Sequence, residues 1–347
     1  MTVSIVNFIY VRFVVLVWLL AGALPALAQQ VENSLPVPMG QFMRSYPLIN
    51  PASAGAYSSM EVNTGVQRHG SSWSNISSYY LNANIRLGRT VREEVRQVLS
   101  EEEEWEEEPI YEDSLLEDEA KEKRPPVERF HVAGITLTGD KEGSFLRKTG
   151  IYGVYAWHTR LTRNVCVSAG ASVGFKNYSV SSSYVYGGGS AYAPDASVGL
   201  WVYDNHYHFG ISASQIFGGR LQPFREITRL QPHLNLTAAR RWDINRHFSV
   251  KPTVMVLLAE SNRPAVNLML GAMLQELVSA TIGYTVGRGL ICIVGLERLN
   301  VGTNSFKAGF SYRIPAGSYS YVNIHTYEIT LNYFMKAGRN RTSTLFQ

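Results

Sequence analysis

The chain has almost no cysteine: Cys166 and Cys292 are the only two in 347 residues. Two thiols exclude a disulfide-stapled scaffold. Their facing also excludes a bridge between them. Cys166 alternates with Ser168, Gly170, Ser172 and Lys176, whereas Cys292 alternates with Leu290, Val294 and Leu296; on extended strands these two rows look to opposite sides. After residue 28 no apolar run is long enough for a membrane-spanning helix. Signatures of chemistry are missing as well. No nucleophile elbow of the Gly-x-Ser-x-Gly kind stands in a strand-turn-helix setting. Gly187-Gly188-Gly189 is followed neither by a helix nor by Lys-Ser/Thr, which excludes a phosphate cradle. Basic residues form no stripe with aromatics, which argues against nucleic acid. Asp204, His206 and His208 share one face of a strand, but no cysteine or third histidine lies near, and zinc takes three or four protein ligands. These absences point to a non-enzymatic chain with no cofactor and no metal.

What is present is alternation. Tyr207, Phe209, Ile211 and Ala213 interleave with His206, His208, Gly210, Ser212 and Ser214, so an extended chain has one apolar and one polar face. The pattern recurs to the end of the chain in segments long enough to cross a bilayer as tilted strands. A closed barrel in lipid needs apolar-out, polar-in strands of this kind. Twenty tyrosines and 29 glycines agree, since tyrosine populates membrane interfaces and glycine populates turns and crowded inner walls.

Residues 1–28 carry Arg12, the apolar run Phe13 to Leu20, and Ala26-Leu27-Ala28. A basic residue, an apolar core and a small-x-small end predict a secretory signal cleaved after Ala28, with an uncleaved anchor as the alternative. Residues 29–56 form a segment ahead of the first strand, either periplasmic or tucked into the bore. Pro51 fixes its own backbone and disfavours helix at Asn50, giving a rigid turn that either wedges in the bore or closes the barrel base.

Alternation and turn signals predict an all-β, antiparallel up-and-down barrel over residues 57–335. Its fourteen strands fall near 58–67, 77–88, 129–139, 150–161, 165–178, 195–204, 206–215, 230–242, 247–258, 265–274, 277–286, 290–298, 305–313 and 324–335. The even number puts both chain ends on the periplasmic side. Connections on that side are predicted short, at 162–164, Asn205, 243–246 and 275–276, and external ones long, at 140–149, 179–194, 216–229 and 314–323. Arg86, Arg160, Lys176, Lys251, Lys307 and Arg313 are predicted inward, against Glu297 and Glu328. For a barrel of this size the reading favours a filled bore over an anion channel.

One stretch breaks the pattern. Residues 89–128 hold 16 acidic and 6 basic side chains, a net of −10, so the rest of the chain carries +14 within a formal total of +4. Parity assigns this acidic insertion to the periplasm. It reads either as a solvated tether or as a docking arm for a basic partner, to which Trp105 and the row Val91, Val95, Val98 and Leu99 would contribute. The tail at 336–347 reads as disordered or as a second periplasmic contact.

Several motifs then fall in order. Tyr46-Pro47-Leu48-Ile49-Asn50-Pro51-Ala52-Ser53-Ala54-Gly55, Arg68 with Trp73, Gly139-Asp140-Lys141-Glu142-Gly143, Pro194-Asp195-Ala196-Ser197-Val198-Gly199 and Tyr327-Glu328-Ile329 run from about Gln41 to Met335. Together they resemble the PorP/SprF family, outer-membrane proteins of the Bacteroidota type IX secretion and gliding system. The sequence departs from that pattern in its acidic insertion, in the wider spacing of Arg68 and Trp73, and in Tyr327 where the family has histidine. The resemblance implies a fourteen-stranded outer-membrane barrel that serves export or surface attachment of particular cargo proteins. Its implied partners are the periplasmic and outer-membrane parts of that machine, the surface cargo and membrane lipid. The interaction candidates are Asn50, Pro51, Ala52, Gly55, Arg68, Trp73, Asp140, Gly143, Asp195, Glu328 and Trp105. Asp140 and Gly143 are expected in an external loop. The competing reading is a passive or fatty-acid-transporter-like channel for small molecules, whose N-terminal plug also carries an Asn-Pro-Ala stretch; a third, an outer-membrane hydrolase, would need a clustered nucleophile and base at one rim.

Overall fold

The computed structural model describes residues 40–335 apart from 72–73, 88–128, 145, 163, 182–187, 223–227, 260–261, 287, 302–303 and 316–324. The leader, the acidic insertion with Trp105, Trp73 and the C-terminal tail therefore lie outside the described residues.

The described chain is a closed antiparallel barrel of fourteen strands. They are β1 (Met60–Ser71), β2 (Ser74–Leu87), β3 (Arg129–Glu142), β4 (Leu146–Arg160), β5 (Cys166–Val180), β6 (Gly189–Tyr203) and β7 (Tyr207–Ser214), then β8 (His233–Arg240), β9 (Phe248–Ala259), β10 (Asn262–Leu274), β11 (Val278–Thr285), β12 (Gly289–Val301), β13 (Asn304–Pro315) and β14 (His325–Met335). Each pairs with its neighbours in sequence, and β14 closes on β1 in a register from Met60 opposite Met335 to Gly70 opposite His325. Closure pairs the backbone groups that an open edge would expose, which is what a strand structure in lipid requires. Among the described residues no helix is long and apolar enough to cross a membrane.

The period of two decides which row faces where. On β4, Ile151, Tyr155 and Trp157 are exposed, whereas Val154, Ala156 and His158 are buried. On β14, Tyr327, Ile329 and Leu331 face out, and Thr326, Glu328, Thr330 and Asn332 face in. The barrel is thus inverted relative to a soluble protein, with its apolar rows outside and Glu61, Asn63, Gln67, Asn82 and Asn84 inside. Exposed Trp157, Tyr207 and Trp242 lie near the rim where β1 begins and β14 ends, and Tyr79, Tyr192, Tyr284 and Tyr327 toward the far rim. Two such belts are the expected interfacial anchors. Cys166 is buried and Cys292 exposed, and both are free.

The strands run further than the sequence suggested. Strands β3 to β6 are 14 or 15 residues long, against the roughly 9–11 that a tilted strand needs to cross. The surplus lies at the far rim. The predicted long loop at 140–149 is instead a hairpin, paired to Glu142 opposite Leu146 and turned at Gly143, whose φ is +65°. Asp140 is therefore a strand residue opposite Lys148 and Ser78, not a loop residue. Pairing persists there because two antiparallel strands satisfy one another's backbone groups even above the bilayer, so polar composition alone does not end a strand.

Candidate functional site: the occupied bore

The segment ahead of β1 fills the middle of the barrel. It is built from three short 3₁₀ turns, Phe42–Arg44, Tyr46–Leu48 and Pro51–Ser53. Gly40, Gln41, Tyr46, Asn50, Pro51, Ala52, Ser53 and Ala54 are all buried. A chain this irregular carries backbone groups that neither helix nor sheet satisfies, so the wall must satisfy them.

The wall does so residue by residue. Asn50 is extended, as the following proline requires, and its Oδ1 accepts from Ala52 N at 3.0 Å, capping the third turn. Its Nδ2 donates to two wall carbonyls, Leu200 O at 2.9 Å on β6 and Ile211 O at 3.1 Å on β7. Ser212 Oγ donates to Ile49 O at 2.7 Å and Ser168 Oγ to Ala52 O at 2.6 Å. His158 Nε2 lies 2.8 Å from Ala54 O, while its Nδ1 lies 2.9 Å from the Tyr203 hydroxyl. Gly55 leaves the plug in the left-handed region at φ +70°; Glu61 Oε1 accepts its N–H at 3.2 Å, and Arg86 donates to its carbonyl at 2.9 and 3.1 Å.

The opposite wall holds the start of the segment. Gln41 N donates to both Glu328 oxygens at 3.2 Å, its Nε2 donates to Glu328 O at 3.1 Å, and Thr330 Oγ1 donates to its Oε1 at 2.9 Å. Arg44 Nη2 donates to Glu297 Oε1 at 2.6 Å, with side-chain exposures of 6% and 19%. Asn332 Nδ2 donates to Arg44 O at 3.0 Å. Tyr46 seats the middle against the stacked Trp201 and His208 rings, with ring centroids 5.2 and 4.7 Å away. Burial pushes the Tyr46 and Tyr57 phenols well above their ordinary pKa, which keeps both neutral.

Close approach depends on wall positions without side chains. A methyl group at 199 would sit 2.0 Å from Asn50 Oδ1, and one at 170 would sit 2.5 Å from Ala52 N. Glycine on the inner wall is here the socket for the Asn-Pro-Ala turn.

Two cavities flank the plug among the described residues. The one toward the rim where β1 begins, about 140 Å³, is lined by Arg44, Arg241, Lys251 and Lys307 against Glu61 and Glu297. The one toward the far rim, about 210 Å³, is lined by Asp140 and Asp195 against Lys176. Pro47 borders both.

Of the residues singled out from sequence, Asn50, Pro51, Ala52, Gly55 and Glu328 come together in the plug and its seat. Asp140 and Asp195 share the far cavity. Arg68 is exposed on β1 opposite Tyr327, away from the plug. Gly143 is a turn residue at the far rim. His206 and His208 part company: His206 is exposed, 3.8 Å from Asp243, whereas His208 is buried and stacked on Trp201. The corner at Asn205 lets the chain change rows, so Asp204, His206 and His208 do not form one face. Gln41, Arg44, Glu61, His158, Ser168 and Ser212 were not foreseen as plug contacts. Their inward parity was legible, but only the path of the irregular segment selects them from the other inward polar residues.

Residues 32–333 match the model of the family described as type IX secretion system membrane protein PorP/SprF. No curated protein matches the chain. Among solved structures it is similar to the toluene transporter TbuX of Ralstonia pickettii, at 11% identity over 84% of this chain and 92% of that one, with a TM-score of 0.45. A FadL homologue of Pseudomonas aeruginosa matches at 7% identity over 88% and 96%, with a TM-score of 0.46. The translocator domain of the autotransporter NalP from Neisseria meningitidis matches at 10% over 80% and 88%, with a TM-score of 0.38.

Proposed function

The chain belongs to the PorP/SprF family of type IX secretion membrane proteins, and from that premise we propose that it is a plugged outer-membrane scaffold supporting export or surface attachment of specific cargo proteins. In this reading the signal at residues 1–28 exports the chain and is cleaved after Ala28. The rim that carries the termini and the acidic insertion faces the periplasm and the secretion machinery. The far rim meets the exported cargo, and lipid contacts the outward apolar rows. The protein catalyses no reaction and needs no cofactor.

The observation that carries this reading is the plug. Hydrogen bonds from β1, β2, β4 to β7, β12 and β14 hold residues 41–55 across the bore, and an interior occupied in this way supports docking rather than conduction. The tethering segment also precedes the first strand, which places it to relay a contact from the periplasmic rim to the bore.

Deletion of the gene tests the function. Surface and medium fractions should lose particular type IX cargo while other exported proteins are unaffected. Normal surface display of every cargo would refute the proposal. Mild crosslinking of native membranes followed by copurification should recover machinery components with the barrel.

A further inference from the structure

Among the described residues, the far cavity holds two buried acceptors left without partners. Asp195 is 4% exposed; its Oδ2 accepts from the Tyr152 hydroxyl at 2.9 Å, and its Oδ1 has no hydrogen-bond partner. Gln215 is 6% exposed, and its Oε1 is likewise unpartnered. Both line the same space. Leaving such groups unmet is costly, the more so for a charged one, so a retained pair of acceptors calls for a donor from outside.

The wall is arranged to hold them there. Tyr152, Gly174 and Asp195 stand in register across β4, β5 and β6, and a methyl group at 174 would lie 2.7 Å from the Tyr152 ring. The glycine lets the tyrosine reach over β5 and fix one carboxylate oxygen, which leaves the other for a ligand. Just past the end of β7, Ile216 N donates to Ala196 O at 3.1 Å, keeping Gln215 level with Asp195. Gln215 itself has φ +58°.

We propose that the far cavity is a binding site for an organic cation bearing N–H groups, the guanidinium or ammonium of an arginine or lysine side chain, held by Asp195 Oδ1 and Gln215 Oε1. Charge agrees, because the lining carries Asp140 and Asp195 against Lys176 alone, a net negative site. Size agrees, because a cavity of about 150 Å³ holds benzene and this one is about 210 Å³. Guanidinium suits the site best, since its planar fork presents parallel donors to a carboxylate oxygen and an amide oxygen together. Lys176 is the internal competitor for the carboxylates. Assigning the cation to an exported polypeptide rests on the function proposed above; the site itself rests on the lining alone.

The test is calorimetric titration of the full mature chain in detergent with the peptide acetyl-Gly-Arg-Gly-amide, its citrulline counterpart, which is isosteric but uncharged, and free L-arginine. The arginine peptide should bind at least tenfold more tightly than the citrulline peptide, and more tightly than the free amino acid. Asp195→Asn should weaken it at least tenfold, and Gln215→Leu should weaken it without disturbing Asp195. Lys176→Met should strengthen it. Equal binding of the arginine and citrulline peptides, or unchanged binding in both the Asp195 and Gln215 variants, would overturn the site. Tighter binding of free arginine than of the peptide would overturn the polypeptide as its source. A cargo defect in the deletion strain without cation binding would sink this inference and leave the proposed function standing.

Discussion

Replacing Asn50 by alanine should loosen the plug, and the structure sets the scale. The side chain makes three hydrogen bonds, to Ala52 N, Leu200 O and Ile211 O at 3.0, 2.9 and 3.1 Å, in a residue only 2% exposed. At about 1 kcal/mol net for each, the loss is about 3 kcal/mol, and at 1.4 kcal/mol per decade local opening should rise roughly a hundredfold. The readout is amide hydrogen exchange of the segment around Ser53 and Ala54, whose N–H groups donate to Asn50 O and Pro51 O. Gly199→Ala attacks the same contact from the wall, because its new methyl group would overlap Asn50 Oδ1. The two changes together should therefore accelerate exchange little more than Asn50→Ala alone, since the alanine at 50 vacates the space that the methyl group needs. Wild-type exchange in Asn50→Ala would refute the seating of the plug by this side chain. Additive effects in the double variant would refute the proposed contact with Gly199.

Other consequences are equally direct. Glu297→Gln removes one charge of a part-buried ion pair with Arg44 and should cost about 1.5–3 kcal/mol in thermal unfolding; the double change with Arg44→Met should cost less than the sum. Val294→Arg places a charge on the outer wall, midway along β12 at a residue 58% exposed, and should cost about 2–4 kcal/mol in a bilayer, seen as loss of the compact band on a gel of unheated membranes. A spin label on Cys292 in a Cys166→Ser chain should collide readily with oxygen and poorly with a water-soluble nickel chelate in lipid vesicles, and the reverse order would place that row in water.

How much of this was legible beforehand follows from the physics of strands. Alternation located all fourteen strands because one row had to face lipid and the other could not, as on β7, where Phe209 points out and His208 in. It underestimated strand ends at the far rim, where both faces of the Asp140 hairpin meet polar surroundings and the period fades while pairing continues. The rigidity of Asn50-Pro51-Ala52 was evident from proline geometry, but its destination was not, because a rigid turn suits a barrel base as well as a bore. Gly170 and Gly199 became meaningful only once the segment's path was known. The same holds for Asp195, whose inward parity was readable and whose unmet oxygen was not.

The account centres on a bore closed by its own N-terminal segment, and electrical recording tests that most directly. Planar bilayers containing the full mature chain should show no steady current, whereas a chain lacking residues 40–57 should form a stable conducting pore. Steady conductance from the full chain, unchanged by that deletion, would contradict it.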